Sequence, residues 1–395
     1  MKRWSPILLL TLLLTMIACA LSPGGRRCIE AVGLLIDVWS VGQEGAAAAA
    51  APSTTITYAG PGGDSRRADV YCDPAAPAAA RLLLAHGLVE AGKDDSRLHA
   101  LGRAFARHRF LVMIPDFPGM RLLRVGRQDI DELDAAIRAA RGVSECGALA
   151  GLPIGAVGFS YSSGPVLLAL DRPGVARPQD FVVLFGGYND LVDVVRFLTT
   201  GRHRDLGVDY GGEALPEGRW ILLQANAETV AGPADRATLA AIGRLKRADP
   251  GADISALAAT LGPSSSALLQ VFANTDPARF DGLMRGVDPA VRDTLDALSP
   301  SKSLEHPLPI DLYLLHGRSD AIVPWSESLK LARSVRTTGR VRLAILGGFR
   351  HARPQGDGGA AGWAAALHYP ADSARILGIL VEILGRRDSR DASPP

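Results

Sequence analysis

Short runs that are apolar at nearly every position recur along the chain: Arg81–Ala85, Phe110–Ile114, Gly155–Phe159, Phe181–Phe185, Ile310–Leu315 and Val341–Leu346. Between them lie segments with helical spacing, Ser96–His108 (Leu98, Leu101, Phe105), Gln128–Arg141 and Tyr161–Leu170, and Ala371–Leu384 closes the chain. A strand that is apolar on alternate and intervening positions alike has both of its faces buried. Such strands alternating with helices predict a mostly parallel sheet covered by helices on both sides, an α/β fold. Two further strands, Thr54–Tyr58 and Ala68–Tyr71, precede the set and are joined by a turn over Gly60-Pro61-Gly62-Gly63. Ligands of such sheets bind beyond the carboxyl ends of the strands, so the residues following each strand are the ones to inspect.

The alternation stops between about Asn189 and Glu305. That stretch carries helical patterns (Pro216–Val230, Ala234–Arg247, Ile254–Leu261, Ser265–Phe272, Pro289–Leu298) and no convincing strand. It is too long for a loop in a compact domain. It reads as a helical cap, or lid, inserted over the carboxyl edge of the sheet. The core is then 53–188 and 306–388, the lid 189–305, and 389–395 a disordered tail. The lid's Trp220, Ile221 and Leu223 would either line a pocket or form the lid's own core.

The first 52 residues read as a leader and tether. Lys2 and Arg3 precede the apolar run Ile7–Ala18, which is short for a membrane span. The run ends at Met16-Ile17-Ala18-Cys19, which resembles the bacterial lipobox, with Cys19 as the lipidation site. An uncleaved anchor, an ordinary secretory signal and, as the remaining reading, a buried helix of a cytosolic protein compete with it, and the apolar patch Ala31–Val41 favours the anchor. The buried helix aside, each of the three puts the folded part outside the cytoplasm, at the cell envelope or secreted, and the first two associate it with a membrane. Gly45 and the tract Ala46–Ala51, closed by Pro52, read as the tether, because six alanines without packing do not hold a helix. In an oxidising compartment Cys72 and Cys146 are candidates to pair; two unrelated buried thiols are the alternative.

Composition narrows the partners. Hydrophobic residues are 47% and charged residues 21%, enough to bury a sizeable core. Lys and Arg total 43 against 41 Asp and Glu, a formal charge of +2. That balance argues against a dedicated nucleic-acid binder, which needs a basic face. The four cysteines form no C-x-x-C pair, and no metal-ligand spacing or glycine-rich dinucleotide fingerprint stands out, so no cofactor is implied. The mean hydropathy of +0.13 is spread over leader, strands and lid.

The run Gly155–Phe159 leads into Gly158-Phe159-Ser160-Tyr161-Ser162-Ser163-Gly164. A serine flanked by small residues two positions away on each side suits a sharp strand-to-helix turn that lifts its hydroxyl above the sheet. The strict G-x-S-x-G pattern is absent, since Ser162 stands where the second glycine belongs. A relaxed form also matches Gly262–Ser266 and Gly317–Ala321, but only Ser160 follows a strand and opens a helix. A serine nucleophile needs a base. Of the eight histidines, His351 lies just past the last strand, with His368 the weaker competitor. His86 and His316 end strands in His-Gly pairs that shape turns. The base in turn needs a carboxylate to fix its tautomer. Asp320, in His316-Gly317-Arg318-Ser319-Asp320, completes the order Ser160, Asp320, His351, and Asp190 or Asp193 is the rival acid. Lys93-Asp94-Asp95 reads either as a polar-substrate contact or as a solvated helix start.

From about Thr54 to Leu384 the chain resembles a bacterial serine α/β-hydrolase, esterase-like or on a dienelactone-hydrolase-like scaffold. The residues that carry the resemblance are His86-Gly87, Gly158-Phe159-Ser160-Tyr161-Ser162, His316-Gly317-x-x-Asp320-x-x-Val323-Pro324 and His351. Dienelactone hydrolases proper use a cysteine nucleophile, so the match is to their scaffold. The resemblance implies an oxyanion hole on the backbone N–H groups of Leu88 and Tyr161. It also implies a small-molecule acyl substrate, cleaved through an acyl-enzyme. Acyl transfer to another acceptor would use the same residues, and a non-catalytic, membrane-tethered binding protein could keep the same fold.

Overall fold

The computed structural model describes residues 22–43, 54–229, 232–350, 353–354 and 370–388. Cys19, the alanine tract, His351, His368 and the tail 389–395 lie outside the described residues. In chain order the strands are β1 (Thr54–Ala59), β2 (Ser65–Tyr71), β3 (Ala80–Ala85), β4 (Phe110–Pro115), β5 (Ile154–Phe159), β6 (Phe181–Phe185), β7 (Arg202–Asp205), β8 (Val208–Gly211), β9 (Asp311–Gly317) and β10 (Val341–Leu346). A final two-residue pair, Phe349–Arg350 with Arg353–Pro354, follows β10. Eight strands make one sheet in the order β1-β2-β4-β3-β5-β6-β9-β10. β2 runs antiparallel to β1 and β4, and all pairings from β4 to β10 are parallel. Ala85 lies opposite Gly158, Phe159 opposite Phe185, and Phe185 opposite Leu315. The loops after β3, β5, β6 and β9 therefore leave the sheet side by side.

The inner apolar strands are buried on both faces, as their pattern predicts, whereas the edge strand β10 is only partly buried and exposes Arg342. Leu83 and Ala85 of β3 join one core cluster with Leu133 and Ile137 of α3 (Gln128–Gly142) and Val166 and Leu167 of α4 (Ser163–Leu170). Leu82 and Leu84 join the other, with Leu98 of α2 (Ser96–Arg107) and Ile379 and Ile383 of the closing helix Pro370–Asp388. Each fully buried leucine of this kind is worth about 1.5–3 kcal/mol of transfer free energy. Arg81 opens an otherwise apolar strand, yet it is buried. Its guanidinium donates through its two Nη atoms to the carbonyls of Leu149 (3.0 Å) and Val143 (2.9 Å), which offsets part of the cost of burying the charge.

The insertion is mostly helical, with α5 (Leu191–Thr200), α6 (Pro216–Asn226), α7 (Pro233–Ala248), α8 (Pro263–Ala273), α9 (Pro277–Gly286) and α10 (Pro289–Ala297). The last five open on a proline in the first turn, where the missing N–H costs nothing. Three features depart from the sequence reading. α5 and α9 were not anticipated, and the β7–β8 hairpin contradicts the expectation of no strand. Its turn, Leu206-Gly207, takes φ of 48° and 80°, the left-handed geometry that matches the twist of a tight hairpin. Trp220 and Leu223 are buried in the core cluster rather than lining an open pocket.

The insertion closes on a narrow neck. Glu327, on α11 (Ser326–Ser334), accepts from the backbone N–H groups of Asn189 (3.1 Å) and Asp190 (2.9 Å), where the chain enters the lid. Leu191 N–H donates to Ser299 Oγ (2.9 Å) and Ser301 N–H donates to the Asn189 carbonyl (3.0 Å), which ties entry to exit.

The folded part also extends further toward the N-terminus than Ser53. Pro23–Gln43 forms a helix, α1, that packs against α2 and the closing helix, here α12. Its Glu30 pairs with Arg387 and His108, so the chain that reads as tether and anchor includes an element of the fold. Cys72 and Cys146 form a disulfide with Cα atoms 6.2 Å apart.

Candidate active site

Ser160 stands at the crest of the turn from β5 into a short 3₁₀ segment, Ser160–Ser162, that runs on into α4. Its φ is +56°, a left-handed conformation costing roughly 1–2 kcal/mol for a residue with a Cβ. The turn is kept sharp by missing side chains. A Cβ on Gly87 would lie 2.9 Å from the Phe159 carbonyl oxygen and 3.3 Å from Ser160 Cβ, so the loop after β3 passes directly against the serine. A Cβ on Gly158 would lie 3.0 Å from Ser163 Cα, and one on Gly164 only 2.1 Å from Tyr188 Oη.

Ser162, where the strict motif has glycine, is fully buried and uses its hydroxyl. Oγ accepts from Phe159 N–H (2.9 Å) and donates to the Ala85 carbonyl (2.8 Å), fastening the end of β3 to the end of β5. The departure is thus accommodated by two hydrogen bonds across the strands that carry the site.

Tyr161 is pinned by its side chain. Its hydroxyl donates to Asp129 Oδ2 at 2.6 Å, and its ring stacks on Tyr188 with centroids 6.4 Å apart. Asp129 also accepts from Gly126 N–H (3.0 Å), and burial pushes its carboxyl up to about 6. On the other side, Leu88 is half-buried at the rim of the core. The loop that carries it is braced by His86, whose Nε2 accepts from Phe117 N–H (3.2 Å). That leaves Nδ1 as the N–H donor to the Gly87 carbonyl (2.8 Å), and burial pushes the imidazole pKa down. His86 therefore shapes the loop, as its His-Gly context suggests.

Asp320 lies three residues past β9 and is buried. Oδ1 accepts from the N–H groups of Ile322 (2.8 Å) and Val323 (2.9 Å), and Oδ2 is 3.4 Å from His316 Nε2. His316 is itself engaged with the Val323 carbonyl (2.9 Å) and Ser328 Oγ (2.7 Å), so it stabilises the acid's turn. The rival acids serve the lid: Asp190 caps α5 through Val192 N–H (2.8 Å), and Asp193 pairs with Lys330 (2.7 Å).

The base proposed from sequence, His351, is outside the described residues. The chain reaching toward it is anchored by Gly348 N–H on Asp372 Oδ2 (3.0 Å). Among the described residues no histidine hydrogen-bonds Ser160. His203 contacts Ser326 Oγ (2.8 Å) inside a cage of Phe197, Tyr210 and Trp325, and burial lowers its pKa to about 4. Lys93, Asp94 and Asp95 lead into the start of α2. Lys93 Nζ bridges Asp69 (2.9 Å) and Asp94 (2.5 Å), and Asp95 caps α2. Asp69, Asp94 and His99 lie close enough to hold a cation, but the Lys93 ammonium already sits on both carboxylates. Sequence reasoning missed Asp129, Tyr188 and Glu327, whose roles depend on partners 32 to 138 residues away.

No protein-family model matches the chain, and no curated protein does. Solved structures do. A single-site mutant of the rice cell wall degrading esterase LipA from Xanthomonas oryzae aligns over 84% of this chain and 90% of its own, at 14% identity and a TM-score of 0.50. The esterase domain of a Rhodothermus marinus protein aligns over 82% and 97%, at 15% identity and 0.38. Pyrococcus horikoshii acylaminoacyl peptidase aligns over 76% of this chain but 37% of its own, at 12% identity and 0.41. The likeness is one of fold, and the fold is that of the α/β-hydrolases.

Proposed function

We propose that this α/β-hydrolase-fold chain is a serine hydrolase that cleaves a carboxylic ester, or a related acyl bond, through an acyl-enzyme. The observation that carries the reading is Ser160 held at φ +56° on the turn after β5, with Gly87 pressed against it. A strained serine between a strand and a helix is what a nucleophile needs to reach substrate above the sheet. Ser160 Oγ attacks the acyl carbonyl, and His351 takes its proton and returns it to the leaving group. Asp320 orients His351, and water released onto the acyl-enzyme with His351 as base completes the cycle. The N–H groups of Leu88 and Tyr161 receive the oxyanion, each worth roughly 3–4 kcal/mol in the transition state.

The same reading puts the protein outside the cytoplasm, held at the cell envelope by its leader, with Cys19 as the lipidated residue. The Cys72–Cys146 disulfide supports an oxidising compartment. The test is fluorophosphonate labelling of the full chain alongside turnover of a p-nitrophenyl ester series. Wild type should label and turn over, and Ser160→Ala should do neither. Labelling that survives Ser160→Ala overturns the assignment.

A further inference from the structure

Helix α1 turns three of its four charged side chains toward the protein, and the fourth, Arg26, is exposed near its start. Arg27 pairs with Asp388 at 2.9 Å, Glu30 with Arg387 and His108, and Asp37 with Arg107 at 3.0 Å and His108 at 3.1 Å, all toward α2 and α12. Ala31 and Leu34 are the residues it buries. The side turned away from the protein carries Ile29, Val32 and Ile36, which are 60%, 44% and 52% exposed, and the thiol of Cys28. Their spacing of three and four residues makes them one stripe. A water-facing helix has the opposite arrangement, and exposed apolar stripes mark a surface that something covers. None of the described helices is long and apolar enough to cross a membrane, so α1 is not a span.

We propose that the outward stripe of α1, Ile29, Val32 and Ile36, rests on a lipid bilayer surface. The position of the stripe in the chain argues for this occupant. Pro23, where α1 begins, follows the apolar run Ile7–Ala18 by only a few residues. A leader held in or on a membrane therefore delivers this helix to the interface, where an apolar face lies in the headgroup boundary. Because α1 covers the α2–α12 side of the sheet, the bilayer bears on that side, and the lid is not the element that meets it. The proposal rests on the leader's membrane association and is independent of the chemistry assigned to Ser160.

The test uses the full chain carrying Cys19→Ser, so that Cys28 is the one free thiol beside the disulfide. Cys28 is labelled with an environment-sensitive nitrobenzoxadiazole probe. The protein is mixed with phosphatidylcholine–phosphatidylglycerol vesicles and followed by flotation and by quenching with shallow doxyl lipids. The expected result is co-flotation with a blue-shifted, quenchable probe. Adding Ile29→Ser, Val32→Ser and Ile36→Ser together should abolish the quenching, while an unchanged circular dichroism spectrum and thermal unfolding transition report an intact fold. A chain that floats with its probe still in water overturns the proposal and leaves the leader reading standing. A chain that does not float overturns the proposal, and with it the leader as an anchor that needs no lipid on Cys19. A probe already shielded before vesicles are added, with a doubled mass in light scattering, assigns the stripe to a second copy and also overturns it.

Discussion

Around Ser160 the chain is held by what its neighbours lack: Gly87, Gly158 and Gly164 let three backbones close on one another, and a Cβ at any of them would meet an atom at 3.0 Å or less. At the lid's neck the same closeness is reached with buried polar groups. Glu327 there holds two backbone N–H groups and the Lys330 ammonium, at 2.6 Å, while Lys330 also reaches Asp193. Steric positioning is insensitive to pH and intolerant of any added carbon. Polar positioning tolerates small shifts in shape but fails when one partner is removed, because the others stay buried and unpaired.

The largest effect should come at the neck. Glu327→Ala strips the acceptor from Asn189 and Asp190 and leaves Lys330 with Asp193 alone. Urea unfolding at neutral pH should show a loss of about 3 kcal/mol, at the low end for a broken buried pair because the lysine is partly solvated. A loss below about 1 kcal/mol would mean that the neck is held by packing, and the contrast with the elbow would collapse.

Next is the carboxyl that pins Tyr161 at the elbow. Asp129 has a folded pKa of about 6, raised by burial, against about 3.9 for an unfolded aspartate. The folded protein therefore binds this proton more tightly than the unfolded chain does. Asp129 costs nothing below about pH 4, and its cost grows as pH rises through 6, reaching about 2–3 kcal/mol above it. Asp129→Asn keeps an acceptor for Tyr161 Oη–H and cannot ionise. Its stability relative to wild type should rise by that amount between pH 4 and pH 7.5 in paired urea titrations. A difference that does not change with pH would show that the carboxylate is fully compensated at the elbow.

The sheet was legible because its strands are apolar on both faces, a pattern that composition and period reveal without any partner. Ser160 was legible because a strand, a small-residue turn and a helix are contiguous. The lid's α9 was not, since it buries little beyond Phe280 and Met284 and its start is signalled by Asp276 capping Ala278 N–H rather than by a hydrophobic stripe. The β7–β8 hairpin escaped because its strands are four residues long and mostly polar. α1 was misread for a deeper reason. Its apolar stripe faces outward and Arg27, Glu30 and Asp37 face inward, so the pattern that normally separates core from solvent points the wrong way. Asp129 and Glu327 left no local trace, because each is defined by a partner the fold brings from far along the chain.

The smallest effect is the sharpest test of the steric elbow. Ser162 occupies the position that the strict G-x-S-x-G pattern gives to glycine, yet its hydroxyl satisfies Phe159 N–H and the Ala85 carbonyl inside the fold. Ser162→Ala removes both bonds and leaves the two groups buried, at a cost of about 1–2 kcal/mol. Ser162→Gly restores the motif but adds unfolded-state freedom, so it should lose a further 0.5–1 kcal/mol or so. Fluorophosphonate labelling should persist in both, since the Ser162 hydroxyl bonds Phe159 and Ala85 and not Ser160 itself. If glycine instead proved the more stable replacement, the close packing at this turn, rather than the two hydrogen bonds, would be what sets the residue there, and the elbow would be steric throughout.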